Sequence, residues 1–109
     1  MLYYQDTNRR VRKAINGYVF YVLLLDNGWY YKGYTSQFYY RMTQHFGHTG
    51  GCKTTKRHRP ISIIYYEVYK TKSEAIKREK SMKCWGSRIE IQKLSKNFRH
   101  ICFTRTISN

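Results

Sequence analysis

The sequence predicts an α+β fold, a small three-stranded antiparallel sheet flanked by helices. Three observations carry this. The 109 residues suffice for one modest core but not for two. Three runs rich in aromatic and β-branched residues have strand length: Tyr18 to Leu25, Trp29 to Thr35 and Ile61 to Tyr69. Helix-periodic stretches with capping signals lie between or after them.

Residues 1 to 16 carry Arg9, Arg10, Arg12 and Lys13 with little apolar periodicity and read as a basic N-terminal extension. The domain proper is expected over 17 to 96, and 97 to 109 as an irregular tail. Tyr18 to Leu25 is apolar on both alternations, as in a central strand covered on both faces. The turn after it, Asp26-Asn27-Gly28, decides which side chains share a face. A two-residue Asn27-Gly28 turn would put Tyr21 and Tyr31 on opposite faces. A three-residue loop with Gly28 in the left-handed region makes Leu23 face Tyr31 and Tyr21 face Gly33, so that both tyrosines point the same way.

Thr35 or Ser36 can cap a helix from Phe38 to about Phe46, with Phe38, Tyr39, Met42 and Phe46 on one side and Arg41 and His45 along its border. Residues 47 to 59 hold three glycines, two histidines and four cations, and read as a flexible cationic loop closed by Pro60. After the third strand, Thr71-Lys72-Ser73-Glu74 is a capping box opening a helix expected to reach about Cys84. Ser87-Arg88-Ile89-Glu90 is a second, for a last helix ending near Ser95.

Lys and Arg number 21 against six Asp and Glu, a net charge of +15, which points to an anionic partner, nucleic acid above all. If six of these cations met phosphates, affinity would fall roughly 10³-fold or more between about 50 and 200 mM salt. Cys52, Cys84 and Cys102 are odd in number and follow no disulfide-scaffold spacing, which fits a reducing, intracellular compartment. The segment from Met1 to Lys13 is polar and basic rather than signal-like, and no apolar run approaches the length of a bilayer span, so a soluble protein without membrane contact is expected.

Placed on a helical wheel, Ala75, Ile76 and Met82 share one arc, Lys77, Arg78, Lys80 and Ser81 lie opposite, and Glu79 falls inside the apolar arc. A carboxylate there is costly unless paired or bound to a cation, so Glu79 is either half of an ion pair or a metal ligand. Tyr21 and Tyr31 are by default core residues. A phenol is a poor base at neutral pH unless cations or a metal lower its pKa, and cations are abundant here. Arg41 can clamp a phosphate with its planar fork. His45, His48 and Cys52 lack a partner pair with ligand spacing, which argues against zinc. No Ser-His-Asp set or phosphate-binding glycine loop occurs, and six acidic residues are too few for an easy two-metal carboxylate site.

The order of these motifs resembles the GIY-YIG endonucleases, in particular their small stand-alone YhbQ-like (UPF0213-like) members, over about residues 18 to 95. The first motif corresponds to Val19-Phe20-Tyr21, where only the tyrosine is kept, and the second to Tyr31-Lys32-Gly33, with Lys in place of an aliphatic residue. Arg41 and His45 match the family's helix, and the helix around Lys77-Arg78-Glu79-Lys80 matches that of its metal-binding glutamate. The resemblance implies a metal-dependent DNA endonuclease with Tyr21, Tyr31, Arg41, His45 and Glu79 as site residues. Glu79 would hold one Mg²⁺ or Mn²⁺, and Tyr21 would help deprotonate the attacking water. Arg41 would stabilise phosphoryl charge, Tyr31 would orient water or phosphate, and His45 would support its neighbours. Lys32, Lys53, Lys56, Arg57, Arg59 and Lys83 are the expected DNA contacts. The alternative is a catalytically silent nucleic-acid-binding module of the same fold, and a targeting protein is a further conceivable partner.

Overall fold

In the computed structural model, residues 16–47, 52–84 and 86–102 are described. The expectations for residues 1–15, His48 and 103–109 lie outside them. The sheet has the order β2-β1-β3, with β1 (Tyr18–Leu25) paired antiparallel to both β2 (Tyr30–Thr35) and β3 (Pro60–Tyr69). Among the described residues four helices accompany it: α1 (Phe38–Gly47), α2 (Lys53–Arg57), α3 (Lys72–Ser81) and α4 (Ser87–Ser95). Sheet and helices together give the expected α+β fold.

The central position of β1 follows from its sequence, because a strand apolar on both alternations is stable only when both faces are covered. Val19, Tyr21, Leu23 and Leu25 join Phe38 and Met42 of α1 in one core. Phe20 and Val22 join Ile64, Met82 and Ile91 in the other. The sheet is thus a middle layer, with α1 on the face of the odd-numbered β1 residues and α3 and α4 on the even face.

The turn between β1 and β2 sets the geometry of the site. Gly28 adopts φ +84°, and Leu25 N–H bonds the Trp29 carbonyl at 2.9 Å, enclosing the three residues Asp26 to Gly28. The resulting register pairs Leu23 with Tyr31 and Tyr21 with Gly33, so both tyrosines face α1. This is the odd-length turn that a shared tyrosine face requires.

Several details differ from expectation. Residues 53–57 form the short helix α2 rather than loop, and Thr55 is buried there because its hydroxyl finds polar partners inside. The helix expected to reach Cys84 stops at Ser81, with Met82 turning out of the helix into the core. The cap of α4 is Gly86 at φ +90°, with no side-chain capping bond, and Ser87 is already helical. The box at Thr71 and Glu74 is formed, the hydroxyl accepting from Glu74 N–H and the carboxylate from Thr71 N–H.

Arg78, assigned by the wheel to the solvent side, instead reaches across to β3. Its Nε and Nη2 donate to the two carboxylate oxygens of Glu67 at 2.9 and 3.2 Å. The hydroxyls of Tyr65 and Tyr69 donate to the same carboxylate. This network pins α3 to the sheet. Between α4 and Cys102 the chain is irregular but attached, since Phe98 packs edge-to-face against Tyr65 and Tyr66 while Ile101 exchanges backbone bonds with Ile63.

Candidate active site

On the α1 face of the sheet, Tyr21, Tyr31, Arg41 and His45 form one cluster. Tyr21 comes from the buried centre of β1, Tyr31 from the edge strand β2, and Arg41 and His45 from successive turns of α1. The Tyr21 hydroxyl lies 2.9 Å from His45 Nε2. The Tyr21 and Tyr31 rings are 6.2 Å apart, and the His45 ring lies 5.2 Å from Tyr31. Arg41 donates to Gln44 Oε1 at 2.9 Å and lies close enough to both phenols to favour their ionised forms.

Tyr21 reaches His45 only because residue 33 is glycine. A Cβ there would stand 2.7 Å from the Tyr21 hydroxyl and 2.9 Å from Cζ, well inside contact distance. The backbone of β2 therefore serves as one wall of the tyrosine's slot. The glycine of the second tyrosine motif is needed for space.

His45, expected on the border of α1, is only 1 % exposed. Burial, reinforced by the Arg41 charge, pushes its pKa down to about 4, so the ring is neutral at pH 7. Its Nδ1 is 3.0 Å from the hydroxyl of Thr55, which also accepts Cys52 N–H at 3.1 Å and donates to the Cys52 carbonyl at 3.3 Å. Thr55 had no distinguishing mark in a run read as cationic loop. A hydroxyl buried beneath a histidine is visible only once α2 exists.

The phenols behave differently from what charge composition alone implied. Burial raises the Tyr21 pKa, its neighbour Tyr31 raises it further, and Arg41 only partly opposes them. Burial and a contact with Cys52 push Tyr31 up to about 12 despite Arg41. For Arg41, burial works against the charge, but the two phenols outweigh it and the pKa is raised. Cations abundant in the sequence do not here make a low-pKa phenol, because their effect falls off with distance while desolvation acts on the ring itself.

Glu79 belongs to the opposite helical layer. Its side chain is 16 % exposed, as its place on the apolar arc implied, and its carboxylate meets Lys83 Nζ at 3.3 Å. No hydrogen bond or ion pair among the described residues joins it to the tyrosine cluster. Lys32, on the even face of β2, is half-buried, and burial followed by repulsion from Lys83 lowers its pKa. Lys32, Lys83 and Glu79 thus form a second charged group behind β2. Lys53, Lys56, Arg57 and Arg59 are exposed along α2 and the strand entry.

The donor set suits a hard divalent ion of the Mg²⁺ type, which commonly takes one or two protein carboxylates and completes its shell with water and phosphate. Glu79 offers a largely buried carboxylate whose partner is a flexible, mostly exposed lysine. Among the described residues no three His, Cys, Asp or Glu side chains gather as a multi-ligand site would require.

The UPF0213 protein of Listeria welshimeri is 40 % identical over 68 residues, covering 62 % of this chain and 74 % of that protein, and the Listeria innocua protein matches to the same extent. A UPF0213 protein of Staphylococcus aureus is 38 % identical over 65 residues, 60 % of this chain and 78 % of its own length. No solved structure gives a significant match. The GIY-YIG catalytic domain matches residues 16–94, which hold the whole sheet and every candidate site residue, and the chain therefore belongs to the GIY-YIG family, a nuclease-type family.

Proposed function

We propose that the protein is a metal-dependent DNA endonuclease, and the observation that carries this is the convergence of Tyr21, Tyr31, Arg41 and His45 on one face of the sheet. Glu79 would hold a single Mg²⁺ or Mn²⁺ ion, which when bound supplies Lewis acidity at the phosphate. Arg41, positively charged at any working pH, draws the non-bridging phosphate oxygens to the tyrosine face and stabilises the charge that grows there.

Tyr31, half-exposed beside Arg41, is the phenol that can meet solvent or substrate. Tyr21, buried and bonded to neutral His45, keeps a proton at pH 7 and orients the cluster. Because burial keeps both phenols protonated at pH 7, their roles here are hydrogen bonding and orientation of water and phosphate. Because β2 is an edge strand, groups on its two faces meet at one rim, Tyr31 and Arg41 from one side and Lys32, Lys83 and Glu79 from the other. A DNA backbone crossing that rim would be within reach of both groups, with Lys53, Lys56, Arg57 and Arg59 extending the positive surface.

The test is cleavage of plasmid, branched and single-stranded DNA with Mg²⁺ or Mn²⁺ by the wild type, Glu79→Ala and Arg41→Ala. Loss of a single oxyanion-stabilising contact costs about a hundredfold or more. Both variants should fall by at least that much. Undiminished cutting by Glu79→Ala would remove the proposed metal ligand, and salt-dependent binding without turnover under any metal would leave only a binding module.

A further inference from the structure

Trp29, at the end of the β1–β2 turn, is 62 % exposed, although a tryptophan carries more apolar surface than any other side chain in the fold. Its surroundings are fixed. Asp26 N–H donates to the Arg59 carbonyl at 2.8 Å, and Arg88 donates to the Gly28 carbonyl at 3.1 Å while its guanidinium lies over the Tyr30 ring. Trp29 N–H is held by the Asn27 side chain. The ring thus stands in solvent on a turn tied to β3 and α4, so its exposure is not that of a loose loop.

Beside it lies a cleft of about 180 Å³ lined by Trp29, Lys53, Thr54, Arg57 and His58. The Trp29 and His58 ring centroids are 5.6 Å apart at 60°, so the imidazole, whose Nδ1 lies 3.6 Å from the Asp26 carboxylate, is tilted against the indole at one wall of the cleft while most of the Trp29 surface stays exposed. Lys53 and Arg57, both exposed, flank the opening. Helix α2 is shared with the tyrosine site: Thr55 points inward to His45, whereas Lys53, Thr54 and Arg57 line the cleft on its outer side.

We propose that this cleft takes an unpaired base of a DNA strand, stacked on Trp29, with the flanking phosphates on Lys53 and Arg57. Lys53 and Arg57 at the opening disfavour a cationic occupant, and an exposed indole framed by cations matches the pairing of stacking and phosphate contacts by which single strands are held. In a fully paired duplex the base faces are already stacked, so only the cations would engage. The protein would therefore favour gapped, flapped or branched DNA. This rests on DNA being the partner but not on cleavage.

Binding is measured in EDTA with a labelled duplex, intact or carrying a short single-stranded gap. The wild type should prefer the gapped form. Trp29→Ala should weaken gapped binding by about tenfold and leave the intact duplex unchanged, and Trp29→Phe should retain most of the preference. Lys53→Ala with Arg57→Ala should weaken both substrates and reduce the salt slope by about two. In a Trp85→Phe background, indole emission should change on binding oligothymidine. A gap preference that persists in Trp29→Ala, or an equal loss on both substrates, overturns the platform while leaving the nuclease proposal standing. A Trp29-dependent preference without turnover under any metal does the reverse, and no binding to either DNA at low salt overturns both.

Discussion

The Tyr21 hydroxyl sits 2.9 Å from His45 Nε2, and the other nitrogen of the same ring sits 3.0 Å from the Thr55 hydroxyl. Because Tyr21 keeps its proton, it donates to Nε2, and the imidazole proton is then on Nδ1, facing Thr55. The hydroxyl of Thr55 accepts there and from Cys52 N–H, and spends its one proton on the Cys52 carbonyl. Every donor in this chain of bonds has an acceptor. Helix α2 thereby sets the tautomer of a histidine on α1.

Thr55→Val keeps the shape and removes the hydroxyl, stranding His45 Nδ1–H. We expect a loss of about 1–3 kcal/mol in unfolding free energy, with recovery of most of it in Thr55→Ser. Nitrogen-15 shifts of the His45 ring should report the Nδ1–H form in wild type and Thr55→Ser, and a mixture in Thr55→Val. A predominantly Nε2–H ring in the wild type would contradict the assignment.

His45 also makes stability depend on pH. It titrates near 6.5 when unfolded but only at about 4 when folded, so the unfolded chain binds more protons between those values. The stabilisation is complete above the unfolded value, declines as pH falls through 6.5 towards 4, and levels off below. The window should amount to roughly 3–4 kcal/mol. Denaturant midpoints of wild type and His45→Gln should diverge at pH 7.5 and converge towards pH 4. Parallel curves would rule out His45 as the source.

Gly33→Ala should push the Tyr21 phenol from its slot, since the new methyl would lie 2.7 Å from the hydroxyl. Overpacking of this kind costs about 1–3 kcal/mol. In a Tyr21→Phe background the cost should shrink, because the nearest atom of the clash is gone. Additive losses in the double mutant would mean that the two positions do not share the strain. Cleavage by Gly33→Ala should fall in step with loss of the Tyr21–His45 bond.

The parts of this site that were legible in the sequence are those fixed by local periodicity. Alternation along β1 made the shared face of Tyr21 and Tyr31 conditional on an odd turn length, which the three-residue turn supplies, and the helical spacing of Phe38 and Met42 brings α1 over them. The acidic residue inside the apolar arc of α3 marked Glu79 as largely enclosed. What stayed hidden depends on contacts between distant segments. Thr55 lies in a polar run without periodicity, and its burial is decided by His45, ten residues away. Arg78 is on the solvent side by wheel geometry, yet its length lets it cross to Glu67, eleven residues earlier. Phenol acidity followed the same pattern, because composition counts cations but not the water excluded around each ring.

The Glu67–Arg78 pair offers a test of how α3 is held beside the sheet. Burial opposes the Glu67 charge, but the bonds from Tyr65, Tyr69 and Arg78 outweigh it and depress its pKa. That contribution is present above the ordinary carboxylate pKa and is lost as pH falls through the depressed folded value. Arg78→Met should cost about 1–3 kcal/mol, by removing the two charge-assisted bonds to Glu67, and should shift the acid unfolding limb upwards in pH. Glu67→Gln should weaken the same attachment and abolish that limb's dependence on Arg78. Because Arg78 precedes Glu79 on α3, cleavage should also fall in Arg78→Met while the Nδ1–H tautomer of His45 stays unchanged. If the tautomer were lost as well, the two faces of the sheet would be coupled more tightly than their separate cores imply.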